Sequence, residues 1–193
     1  MKLTRKKTFL SSVLVLMPLS VFANNAIPTQ EIQEARSVVK AFGGDLKSVL
    51  TSAMKTQGPI KALEVCNLDA GPIAKQHSAL SDWNIGRTSI KNRNAKNAPD
   101  QWESSVLLAF EKRKLAGEAL DTMEYSETIQ NGDETVYRYM KAIPTAGPCL
   151  VCHGENIDEN VANKIKSLYP DDKATGFTFG DIRGAFTLEK RSR

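Results

Sequence analysis

The pentapeptide Cys149-Leu150-Val151-Cys152-His153 restricts this chain more than any other stretch of it. C-x-x-C-H is the signature of covalent haem attachment. Two thiols one helical turn apart can each add to one of the two vinyl groups of a porphyrin. The adjacent histidine is then carried under the iron as proximal ligand. Other uses of the motif fit less well. A thioredoxin-type C-x-x-C sits early in a βαβ unit, whereas this one comes late, after two strand-like runs. A zinc site needs two pairs of ligands, and only Cys66 and His77 lie elsewhere. A disulfide between Cys149 and Cys152 leaves His153 unexplained. One covalently attached haem c is therefore the expected cofactor, with His153 on the iron.

The N-terminus supports this reading. Met1 to Lys7 is basic, residues 9–22 (FLSSVLVLMPLSVF) are apolar, and Val21-Phe22-Ala23 supplies a small-residue cleavage site. The apolar run is about 14 residues where a bilayer needs ~20, which favours a cleaved signal over an anchor. Residues 1–23 are expected to be a signal peptide and 24–193 a single domain, exported to the periplasm or beyond, with no membrane span after processing. Charge agrees. The 26 basic and 22 acidic residues give +4, but Lys2, Arg5, Lys6 and Lys7 account for all four charges. Without them 22 basic residues face 22 acidic ones, and no positive excess remains for a nucleic-acid partner.

Ile32, Ala35, Val39, Phe42, Leu46, Val49 and Ala53 recur every three or four residues and predict a long amphipathic helix. Gly43-Gly44 is a candidate bend, and Gly58-Pro59 ends the pattern. A shorter helix is expected over residues 60–70, stopped or kinked at Gly71-Pro72. Residues 81–99 are polar and turn-rich, with alternation at 85–90. A third helix follows Pro99, capped by Asn97 or Asp100 with Glu103 three residues after Asp100. Residues 123–130 and 135–142 flank Asn131-Gly132 as a hairpin. Val161, Ile165 and Leu168 mark a short helix closed by Pro170, and a last hairpin is predicted over 177–188 about Gly180-Asp181. Helices first and antiparallel strands after them read as α+β.

Cys66, His77, Met54, Met123 and Met140 are the candidate sixth ligands. Methionines mostly fill cores, and Lys75, Gln76 and Ser78 mark His77 as solvated. Cys66 and His77 are about three helical turns, ~16 Å, apart on a continuous helix, so both cannot meet one iron. Cys66 is preferred: it sits among Leu63, Val65 and Leu68, and ligation accounts for an odd third cysteine. Arg87, Arg93, Asn94 and Asn97 are candidate contacts for the haem propionates, which arginine forks and amide donors commonly hold.

ALEVC at 62–66 with Gly71-Pro72-Ile73-Ala74, GRTSIKNRNAKNAPDQWE at 86–103, YRYMKAI, PCLVCHG, YPDDKATGF and GDIRGAF together resemble a bacterial family of exported c-type haem proteins. That family has long been catalogued as a domain of unknown function. The resemblance spans about residues 30–190. It implies a PAS-like fold with a long N-terminal helix, and iron held by the C-x-x-C-H histidine and a cysteine matching Cys66. Members occur alone and as sensory parts of signalling proteins. A thiolate ligand favours ferric iron and a low potential, and its loss on reduction opens a position for a diatomic gas. The expected function is a redox or gas sensor, with electron-transfer cytochrome as the alternative. The expected partner is a signalling or redox protein. Peroxidase-like catalysis is disfavoured because no distal histidine–arginine pair is recognisable.

Overall fold

A computed structural model describes residues 27–192. The expected signal peptide lies outside the described residues. The first helical element, α1 (Thr29–Ala79), consists of two arms that meet where Gly58-Pro59 ends the first helix of the sequence pattern. Its backbone leaves helical geometry at one residue, Gly58, with φ 78°. There the chain reverses, and the second arm returns beside the first. His77 Nε2 lies 2.8 Å from Asp45 Oδ2, and its ring packs edge-on to Phe42 at 5.9 Å. Two expectations are corrected here. The helix passes straight through Pro72 to Ala79, because the second arm's Ile73 and Ala74 bury against the first arm's core residues. Gly43-Gly44 does not bend it. Gly43 instead makes room for Phe186, whose ring a Cβ would meet at 3.0 Å.

Strands β1 (Asn84–Thr88), β2 (Glu124–Asn131), β3 (Glu134–Pro144) and β4 (Ile182–Ser192) form one antiparallel sheet in the order β1-β4-β3-β2. The β2–β3 hairpin forms as expected, with Asn131 opposite Glu134 and Gly132 at φ 64° in the turn. The predicted hairpin at 177–188 does not form. β4 pairs with β3 and β1 along its length, and Phe177 makes only an isolated bridge to Gly154. A long strand gains more ladder bonds in the middle of the sheet than against three residues.

Each sheet face carries one helical layer. The α1 face buries Val39, Phe42, Trp83, Ile85, Tyr139 and Leu188. On the other face α2 (Gln101–Leu115) packs Val106, Leu107 and Phe110 on Met123, Met140 and Ala142. Asp100 is the N-cap, and a full capping box with Glu103 satisfies two backbone donors at the helix start. Fully burying a side chain such as Phe42 or Phe110 contributes about 1.5–3 kcal/mol, so the two clusters fix the layers. This is the expected α+β, PAS-like architecture. A third cluster joins Leu63 of the second α1 arm to Val161 and Ile165 of α4 (Glu159–Leu168). The short helix α3 (Leu150–His153) lies beside it, and Cys152 packs against the cluster.

Candidate haem site

A 3-10 turn at Gly147–Cys149 runs into α3, so Cys149 and Cys152 occupy one face of a continuous helical turn and His153 ends it. The His153 Nδ1–H donates to the Ala174 carbonyl at 2.7 Å. That bond fixes the tautomer in which Nε2 carries the lone pair, the form that ligates a metal. Phe177 stands edge-on to the ring at 6.2 Å. Burial, with Arg183 and Arg93 nearby, pushes the imidazole pKa down to about 2. The ring is neutral at any ordinary pH.

Cys66 comes from the second arm of α1, one turn after Leu63, and is half-buried. Burial pushes its thiol above the usual range, while Arg87 and Arg93 pull it down. Burial also raises the Cys152 thiol, and Cys66 and Cys149 add to that. The three thiols therefore share one electrostatic environment. All three are free in this structure.

Of the two expected arginines, Arg93 is committed to the protein. Its Nε and Nη2 donate to the two Asp172 oxygens at 3.1 and 3.2 Å. Nη2 also reaches the carbonyls of Cys152 at 2.6 Å and Ala174 at 3.1 Å. It staples α3 to the 172–176 loop. Arg87, on β1, lies in the electrostatic field of Cys66 and Tyr169, and burial disfavours its charge. Asn94 and Asn97 are used locally. The Asn94 side chain caps the 3-10 turn Ala95–Asn97 by accepting from Lys96 N, and the Asn97 carbonyl accepts from Ser89 N. The remaining ligand candidates lie elsewhere. Met123 and Met140 are core on the α2 face, and His77, expected to be solvated, is instead largely buried against Phe42 and tied to Asp45 because the second arm of α1 returns beside the first.

One residue was not singled out from sequence. Arg183 Nε lies 3.4 Å from His153 Nε2, and Nη1 donates to Ser89 Oγ at 3.3 Å and the Lys91 carbonyl at 3.2 Å. Burial and the neighbouring Arg93 and Arg87 push its pKa down to about 10. It arrives there through a bulge. Ile143 pairs with Gly184 and Pro144 with Ile182, so Arg183 is the extra residue of β4. A glycine next to a strand arginine was the available signal.

The residues present suit a porphyrin-borne iron. Two half-buried thiols on one helical turn, a tautomer-fixed neutral imidazole and a third thiol are donor types that haem and its iron take. Among the described residues, no three His, Cys, Asp or Glu side chains come together to hold a bare metal ion.

A profile of the Tll0287-like family, described as Tll0287, matches residues 21–190. The fold also matches the crystal structure of the cyanobacterial heme-protein Tll0287, with TM-score 0.63 and 24% identity over 84% of this chain and 95% of that one. No curated protein matches.

Proposed function

The chain belongs to the Tll0287-like family, and on that premise we propose that it is an exported monohaem c-type cytochrome acting as a redox or diatomic-gas sensor. The observation that carries the reading is that Cys152, on the helical turn with Cys149 and His153, packs against the cluster of Leu63, one turn before Cys66, although the two segments lie more than eighty residues apart. Haem, the group named for the cyanobacterial heme-protein Tll0287, would supply an iron that changes oxidation state and takes a sixth ligand. Cys149 and Cys152 would hold it covalently, and His153 Nε2 and Cys66 Sγ would ligate its iron. Ala174 holds the imidazole in the ligating tautomer, and Arg93 keeps α3 and the 172–176 loop together. Cys66 and His153 belong to different elements, so a change at the sulfur bond would act on the second arm of α1 and not on the hydrogen bond that holds His153. That asymmetry favours the sensor over the electron carrier, for which both ligands must persist.

Mass spectrometry of the purified protein tests the cofactor. One haem added to the mature chain, with colour that stays on the protein through acid–acetone extraction, is expected. A colourless or extractable product overturns the reading.

A further inference from the structure

His153 is surrounded by more positive charge than the protein neutralises. Arg87, Arg93 and Arg183 all act on its imidazole, and Asp172 is the carboxylate among them. Arg93 takes both oxygens of Asp172 and two carbonyls besides, in a nearly buried pair. Arg87 and Arg183 have no ion pair among the described residues. Both are half-buried, and burying cations without counter-charge is costly. Arg183 is also held there by design of the backbone. The bulge pushes it out of the ladder, and Gly184, at φ 153°, lets the strand pass with no room to spare. A Cβ there would stand 2.4 Å from the Thr88 carbonyl. The guanidinium donates towards the Nε2 lone pair of His153, the one that a metal would need.

Resting on the haem reading above, we propose that Arg183 is an anchor for a haem propionate, while Arg93 remains a structural staple. With haem bound, the His153 lone pair would serve the iron and the Arg183 guanidinium, no longer needed there, would be available to a porphyrin carboxylate. Its base stays fixed by the bulge, and Nη1 donates to both Ser89 Oγ and the Lys91 carbonyl. The chemistry is that of a bidentate arginine–carboxylate pair, which lysine reproduces in charge but not in geometry.

The test uses haem-loaded full-length wild type, Arg183→Gln, Arg183→Lys and Arg93→Gln, read by resonance Raman of the propionate bending mode and by midpoint potential. Arg183→Gln should keep its covalent haem, because Cys149 and Cys152 are untouched. Its propionate mode should shift and its potential fall, since a positive charge that favoured ferrous iron is gone. Arg183→Lys should keep most of the potential and still shift the mode. If Arg183→Gln does not fold, the lysine variant decides by that mode. Unchanged mode and potential in the Arg183 variants, or changes confined to Arg93→Gln, overturn the assignment. A wild-type protein without haem overturns the functional reading itself and this inference with it.

Discussion

At the scale of single residues, the site depends on which groups share an environment. Under the proposed ligation, Cys66→Ser leaves the haem attached but removes the thiolate's negative charge. The ferric optical and EPR spectra should turn high-spin or water-ligated, and the potential should rise. His77→Ala should change neither, because His77 is tied to Asp45 and Phe42 on the far stretch of the same arm. It should cost about 1 kcal/mol through the lost ring contact, read by urea denaturation. The reverse pattern would reassign the ligand. His153 makes a second prediction for chain produced without haem. Its folded pKa of about 2 lies below the usual histidine value, so between those two values the unfolded chain binds the extra proton. Stability should therefore fall as pH drops from 7 to 5, by at most about 1.4 kcal/mol per pH unit from this group. Carboxylates stay ionised over most of that range, and His153→Gln should flatten the slope. The single helical turn that carries Cys149, Cys152 and His153 was legible because its geometry is local. Arg183 was not, since its position depends on a register shift between two distant strands.

At the scale of elements, legibility followed the range of the forces involved. The capping box at Asp100 and the β2–β3 turn are set within four residues, and both appear where the sequence puts them. The helix through Pro72 and the fate of residues 177–179 depend on packing and pairing with distant partners, and these differ from the local pattern. Two substitutions separate the kinds of constraint. Asp100→Ala removes the cap and the Arg138 ion pair and should cost about 1–2 kcal/mol in urea denaturation, with haem spectra unchanged. Gly184→Ala forces a side chain into a left-handed backbone region against the Thr88 carbonyl. Backbone strain alone should cost about 1–3 kcal/mol. Because the bulge aims Arg183, this variant should also disturb the haem spectrum. A destabilised Gly184→Ala protein with wild-type spectra would show that the bulge serves stability only.

At the scale of the molecule, the site bridges two layers that could move against each other. Cys149, Cys152 and His153 are tied through Ala174, Arg93 and Asp172 to the loops at the end of the sheet. Cys66 sits on the second arm of α1, which reverses at Gly58 and is clasped to the first arm near its end by His77 and Asp45. The sulfur–iron bond proposed here would thus be a strut between the helical hairpin and the loop that holds His153. A sensor should lose that strut on reduction, and an electron carrier should keep it. Reduced protein exposed to CO should then form a six-coordinate CO adduct, and amide hydrogen exchange should rise over residues 59–79 relative to the oxidised protein. Residues 150–153 and 172–176 should stay as protected as before, because none of their hydrogen bonds passes through Cys66. A reduced spectrum that ignores CO, with exchange in the second arm unchanged, would assign the protein to electron transfer.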